Sequence, residues 1–331
     1  MALSIASLSI AARATLDMHS LNNEGGEGNQ IQTRMVDIVG ADGRMYNVNA
    51  ISGDMLKHIQ AQHFFEVARG TNLPLCAGCQ QFDANRINAD KTWTIPPSDR
   101  DAISALLQRC AIDDTAGILI TAGNRSLPRK AVVEFGWVVG VPTLVTTDSY
   151  FHVKYAERGK ERREADAAAR ESEGSNLGQA IFHRQASSGV YAIVCHVELA
   201  RIGYNDISQT YAIDAAERNR RATGLIRSIM HTFLEFNGAM RTTQLPHLVA
   251  LEGIMTWSRD VATPAPMISP LAGGREHAEL YRSQTRDVVA ALSDPSSENV
   301  RYTEFATISD FAQQMRTLVD SAEPASLVSH R

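Results

Sequence analysis

The stretch Leu16-Asp17-Met18-His19-Ser20-Leu21-Asn22-Asn23-Glu24-Gly25-Gly26-Glu27-Gly28-Asn29-Gln30-Ile31-Gln32-Thr33-Arg34 leaves a strand, crosses a loop of Asn and Gly, and resumes toward an arginine. Gly25, Gly26 and Gly28 leave the loop little side-chain bulk, so its backbone can come close to a ligand. A short way on, Ile51-Ser52-Gly53-Asp54-Met55-Leu56-Lys57-His58 has the form of a capped helix start, with Ser52 as the cap. A helix N-terminus offers open amides and the positive end of its dipole, and Arg34, Lys57 and His58 add donors for an anion. Asn22, Gly26, Gly28, Asn29, Arg34, Ser52, Lys57 and His58 are therefore the first candidate site, suited to a phosphate backbone. The competing readings are a plain surface turn for the loop and a sheet-packed ring for His58.

Composition narrows the classes. A chain of 331 residues with 44% hydrophobic content buries a substantial core, in one large domain or two smaller ones. No apolar run approaches the roughly 18–20 residues that span a bilayer, so no membrane partner is expected. The start, Met1 to Ile10, lacks a basic leader and alternates apolar with small polar residues, which reads as a first strand in a cytoplasmic protein. Four cysteines in a chain this long do not make a disulfide scaffold. A formal net charge of −5 means that any nucleic-acid contact must come from a local basic surface.

Along the chain, residues 3–17 read as a long strand and 20–30 as a flexible loop. Val36–Val39 and Met45–Val48 flank Gly40-Ala41-Asp42-Gly43, the turn chemistry of a hairpin. A helix then runs from Ser52 to about Arg69, with Met55, Ile59, His63 and Val67 at helical spacing. Residues 70–115 break this pattern and read as an insertion, with a helix at Ser98–Arg109. Gly117–Thr121 is a short strand, and Ala131–Thr146 is rich in Val. The charged run 154–176 reads as a solvated helix or mobile loop, followed by strands at Gly178–His183 and Val190–Leu199. Ala215–Phe236 is an amphipathic helix with a core stripe of Leu225, Ile226, Ile229, Met230 and Phe233, stopped at Gly238. Leu248–Trp257 is a strand, and helices follow near Arg275–Leu292 and Ile308–Leu318. This order suits an α+β sandwich, an antiparallel sheet backed by helices, of the split βαβ kind.

The succession LDMHSLNNEGGEGNQIQTR, ISGDMLKH, CAIDDTAGIL, QAIFHRQASSGVYA and FNGAMRTTQLP resembles the DevR autoregulator family of CRISPR-associated proteins. These are the repeated backbone (Cas-seven) subunits of type I Cascade complexes, and the likeness runs in order from about residue 3 to 260. The resemblance implies a modified RNA-recognition-motif (ferredoxin-like) palm, with a helical fingers insertion and a protruding thumb hairpin. In those terms the chain divides into palm (1–69), fingers (70–115), palm and web (116–153), thumb (154–186) and palm with C-terminal helices (187–331). It also implies a partner set: CRISPR RNA, target DNA, other copies of the chain in a filament, other Cascade subunits and a recruited helicase-nuclease. The chain itself would bind and not cleave, with sequence specificity delegated to guide pairing.

Under that resemblance the glycine loop with Arg34 and the Ser52 helix start become RNA contacts. His152 and Lys154 before the charged run, and Phe182, His183 and Arg184 after it, flank the thumb where side chains would meet RNA. Ile181 and Phe182 are candidates to wedge beside a displaced base. Arg241 beside Gly238 would touch RNA or a neighbouring subunit, while Arg227 reads as a solvated helix face. Cys76-x-x-Cys79 is half a zinc site, Cys110 a third ligand, and His58 or His63 can complete a tetrahedral set; buried thiols acting as small hydrophobes are the alternative. Zinc is the only cofactor in view. No catalytic elbow, phosphate-binding loop or zinc-protease motif occurs, and Asp113-Asp114 reads as structural. Two other classes compete: a type III-like subunit that cleaves target RNA with a metal-assisted aspartate, Asp17 or Asp37, and a transcriptional autoregulator.

Overall fold

Strands β1 (Leu3–Ile5) and β2 (Ser7–His19) open the chain, and β2 is buried on both faces. Successive side chains on a strand point to opposite sides. Ile10, Ala12, Ala14 and Leu16 therefore enter the main core, while Ser9, Ala11 and Arg13 face a second layer. The second face takes small and polar side chains, which is why residues 3–17 alternate although both faces of β2 are covered. The computed structural model describes residues 3–27, 30–121, 125–155, 179–293 and 298–327.

Next come β3 (Asn23–Glu27), β4 (Gln30–Thr33), β5 (Met35–Val39), β6 (Met45–Ile51) and helix α1 (Gly53–Gly70). The inserted region holds α2 (Ala77–Gln80), a 3-10 turn at Arg86–Ala89, α3 (Asp99–Arg109) and α4 (Ala111–Ala116). Short strands β7 (Ile118–Ile120), β8 (Leu127–Arg129) and β9 (Val133–Phe135) lead to the long pair β10 (Val138–Tyr155) and β11 (Gln179–Val197). After β12 (Tyr204–Asn205) and β13 (Thr210–Tyr211) come α5 (Ala215–Leu234), β14 (His247–Ser258), α6 (Leu280–Leu292), β15 (Val300–Phe305), α7 (Ile308–Ser321) and β16 (Ala322–Pro324).

The main sheet has the order β15-β14-β2-β11-β10-β6-β5, every neighbouring pair antiparallel, with β9 and β4 also paired to β11. Helices α1, α5 and α7 cover one face. Phe311 of α7 meets Phe233 of α5 at 5.3 Å and Phe305 of β15 at 5.1 Å between ring centroids. Each such buried ring contributes about 1.5–3 kcal/mol by leaving water. The other face carries α6 and the segment before it. Arg13 reaches through to that segment, donating to the carbonyls of Pro270 (2.7 Å) and Gly274 (2.9 Å). No helix among the described residues is long and apolar enough to cross a membrane.

Three local expectations need correction. Where 20–30 reads as a loop, Asn23–Glu27 and Gln30–Thr33 are strands: β3 and β4 form a ladder, and β4 continues the sheet, pairing Gln30 with His183 and Ile31 with Arg184. The backbone groups that a glycine-rich run leaves open are taken up by the edge of β11. The two strands read around Ser187-Ser188-Gly189 are one strand, β11, with a bulge between Ser187 and Gly189. Gly189 has φ +148°, and a Cβ there would lie 2.2 Å from the Leu144 carbonyl oxygen, so glycine lets the strand continue through what resembles a turn. Finally, α5 stops at Leu234, with the Glu235 N–H on the His231 carbonyl (2.8 Å), not at Gly238. Gly238 instead packs against Leu21, where a Cβ would come within 2.6 Å.

Candidate functional site

Several segments far apart in sequence are tied together at one end of the sheet. The Asn22 side-chain carbonyl accepts from the Ser52 N–H (2.9 Å), joining the end of β2 to the start of α1. The Gln185 side-chain oxygen accepts from the Thr33 N–H (3.0 Å), joining β11 to β4. Arg184 donates to the Thr243 hydroxyl (2.9 Å), and Gln244 donates to the Gln185 carbonyl (3.1 Å), which fastens the loop after α5 to the same strand. The Ala239 N–H closes the ring on the Leu21 carbonyl (3.2 Å).

At the helix start, Ser52 caps α1 by accepting from the Met55 N–H (3.2 Å). Ser52, Gly53, Asp54 and Lys57 face Glu134, Phe135 and Trp137 across a shallow cleft. Arg34, at the β4–β5 junction, places its guanidinium over the Trp137 ring, 5.1 Å from the centroid. Trp137 is 46% exposed, so much of its surface stays open for a further planar group. Burial, and then Arg86, lowers the Lys57 ammonium from its ordinary value, while Asp54 and Glu134 act the other way. The cleft is thus of mixed charge, with cations at the helix start and beside the indole.

On the long hairpin the register brings the flanking candidates together: Tyr150 lies opposite Arg184, Phe151 opposite His183, and His152 opposite Phe182. Tyr150 and Phe151 are both exposed on consecutive positions, so this part of the hairpin has solvent on both faces. The backbone of Lys154 pairs with Ala180. The side chains of Lys154, Ile181 and Phe182, the pair Gly28 and Asn29, and the charged run beyond 155 lie outside the described residues.

Not every candidate presents itself. Asn22 is buried and its carboxamide holds Ser52, so it builds the site and does not face a ligand. The Ser52 hydroxyl is committed to its cap. Arg241 is ion-paired with Glu235, which neutralises it locally. His58 is exposed beside Phe82 at 5.6 Å, and Gly26 is exposed in its ladder. Trp137, Tyr150 and Phe151 were missed by sequence reasoning. A Trp standing alone between Gly136 and Val138 was the one available signal.

Away from this face, Cys76, Cys79, Cys110 and Asp113 form a buried cluster whose sulfur and oxygen atoms all lie within 4.8 Å of one another. Neither expected histidine completes it: the His63 ring is bonded to the Glu235 carbonyl (2.9 Å), and His58 turns to Phe82. Burial, with the Cys110 thiol adding to it, pushes the Asp113 carboxyl up to about 8. Asp114, its neighbour, is structural. It accepts from Arg129 (2.8 Å), Arg221 (2.9 Å) and the Gly203 N–H (3.0 Å), all out of solvent.

Comparison with known proteins fits this architecture. The family described as CRISPR-associated negative auto-regulator DevR/Csa2 matches residues 10–274, and the chain belongs to that family. The CRISPR-associated protein Cas7/Csa2 1 of Saccharolobus solfataricus is 23% identical over 299 residues, 86% of this chain and 89% of the relative. A chain of a solved structure titled "CRISPR RNA-guided surveillance complex, pre-nicking" shares the fold at a TM-score of 0.51 and 13% identity, covering 95% of this chain and 99% of its own.

Proposed function

We propose that this chain is a CRISPR RNA-binding backbone subunit of a type I Cascade effector complex, several copies lining one guide RNA and presenting it for pairing with target DNA. The observation that carries this reading is that the α1 start and the Arg34–Trp137 stack share one cleft, and that Arg34 follows the strand β4 that pairs with the base of the long hairpin. A stacked aromatic beside cations suits single-stranded nucleic acid, because every base offers a π-face and every nucleotide a phosphate. A phosphate at Lys57 would also offset the burial and the nearby Arg86 that disfavour its charge.

The succession β2, α1, β10, β11, α5, β14, with spatial order β14-β2-β11-β10, supports reading the core as a modified RNA-recognition-motif palm. Residues 70–115 are then fingers, and residues 154–186, which take in the end of β10 and the start of β11, belong to the thumb. Partners on this reading are further copies of the chain, other Cascade subunits and a recruited helicase-nuclease, all in the cytoplasm.

The subunit binds without cleaving. Asp17 sits on β2 opposite His247, whereas Asp37 lies on the edge strand β5, bonded to Asn47 (2.7 Å). Asp37 is thus engaged by a side chain of its own hairpin, which supports the binding-only reading.

The test is the RNA that co-purifies with chain expressed alongside a guide. Arg34→Glu and Lys57→Glu should each lower retained guide severalfold, and retention should fall with salt as phosphate contacts release counterions. Lys57 lies past the first turn of α1, and Asp54 and Glu134 act on its charge, so guide retention by Lys57→Glu is read beside its melting temperature. Wild-type retention by both variants would overturn the site. Periodic cleavage of guide-matched RNA in magnesium would overturn the binding-only role.

A further inference from the structure

We propose that Cys76, Cys79, Cys110 and Asp113 hold a zinc ion that pins the inserted helices to one another and to the main core. Cys76 is the cap of α2 and Cys79 lies within that helix; Cys110 is the cap of α4 and Asp113 lies within it. Two helix starts with the same three-residue offset therefore face each other, each offering two donors. The cap sulfurs accept amide hydrogen bonds, Cys79 N–H to Cys76 at 3.4 Å and Asp113 N–H to Cys110 at 3.5 Å.

The separations from Asp113 match those of one tetrahedral ion, and all four donors lie within 4.8 Å of one another. Asp113 Oδ2 lies 3.4 Å from the Cys76 sulfur and 3.8 Å from the Cys79 sulfur. Ligand distances of about 2.3 Å to sulfur and 2.0–2.2 Å to oxygen place tetrahedral neighbours roughly 3.4–3.8 Å apart. Three thiolates and a carboxylate are a donor set for zinc. An iron–sulfur cluster would need a fourth thiolate and room for its own iron and sulfide between the ligands. Asp113 Oδ1 is buried with no hydrogen-bond partner among the described residues, which is costly for a carboxyl that bonds only to thiols. Arg86, bonded to the Gly117 carbonyl (2.6 Å), lies close enough to favour the negative charge that the loaded site would carry.

Without the ion, four polar groups are packed where apolar side chains would serve. With it, the same groups cross-link two helices that are each too short to be stable alone. The ion would act structurally, holding α2 and α4 beneath α1.

The experiment is metal analysis of the full-length protein purified without chelators. Mass spectrometry of the metal content should give about one zinc per chain. Blocking the thiols with a mercurial should release that zinc to a colorimetric indicator, and X-ray absorption should show a sulfur-dominated shell near 2.3 Å. Cys110→Ser and Asp113→Ala should lose zinc, whereas Cys195→Ser, a buried thiol on β11 outside the cluster, should keep it. Because the cluster variants can fail to fold, the wild-type content decides the matter. Wild-type protein that carries no zinc after growth in zinc-supplemented medium overturns the proposal, as does zinc that resists thiol blocking.

Discussion

Asp114→Ala removes the centre of a buried charge network, and its cost follows from the partners left behind. Asp114 accepts from two guanidinium groups and a backbone amide at 2.8–3.2 Å, and Asp114 and Arg221 are fully buried. Removing one partner of a buried ion pair costs about 3–5 kcal/mol, because the remaining charge cannot regain water. Two features place this case at the lower end. Arg221 keeps Glu217 at 2.8 Å and the Leu107 carbonyl at 2.7 Å, while Arg129 keeps Asp206 at 3.3 Å and three carbonyls, one of them the backbone carbonyl of residue 114 itself. The expected loss is therefore about 3 kcal/mol, a large share of a total of about 5–15 kcal/mol. With a urea slope near 3 kcal/mol/M, the midpoint followed by circular dichroism should fall by about 1 M. Glu217→Ala, which leaves Arg221 its aspartate, should shift the midpoint much less. If the two variants shift equally, or Asp114→Ala shifts by under about a third of that amount, the network does not carry the stability assigned to it.

Two further outcomes are expected. Burial lowers His19 to about 4 from its ordinary 6.5, so the unfolded chain takes up a proton first as pH falls, and stability drops between pH 6.5 and 4. At pH 5 this costs about 2 kcal/mol, so wild type should lose that much more than His19→Phe between pH 8 and pH 5 in urea titrations; parallel curves would contradict it. Trp137→Ala should weaken binding of single-stranded RNA about 5- to 150-fold in a filter assay, the loss of one base stack, with the melting temperature little changed. Unaltered affinity would remove the indole from the interface.

Strong local chemistry was legible in the sequence. Asp42-Gly43 marked the β5–β6 hairpin, Ser52 the start of α1, and the stripe through Leu225, Ile229 and Phe233 the helix α5. What escaped were places where a distant partner overrides local signals. Ser187-Ser188-Gly189 reads as a turn until β2 and β10 hold it in a continuous strand. The Asn-Gly stretch before Arg34 reads as a loop until β11 offers it an edge. Asn22 looked like a ligand contact because its commitment to Ser52 spans thirty residues. In the cysteine cluster the signal in the sequence is a repeated offset, Cys76-x-x-Cys79 beside Cys110-x-x-Asp113, and the Asp113-Asp114 dipeptide reads as structural until the fold separates the two carboxyls, Asp113 beside the thiols and Asp114 beside the arginines.

The pairing of β10 with β11 continues to Tyr155 opposite Gln179. Directly opposed residues of antiparallel strands sit about 4.5–5.5 Å apart at their Cα atoms, a gap that a tight turn can bridge. The register of β10 and β11 is therefore held by pairs within the two strands themselves, from Val139 opposite Ala192 to Tyr155 opposite Gln179. That junction is a natural splice point: a shorter turn, or a foreign module with adjacent termini, can be exchanged there while the rest of the fold keeps its alignment.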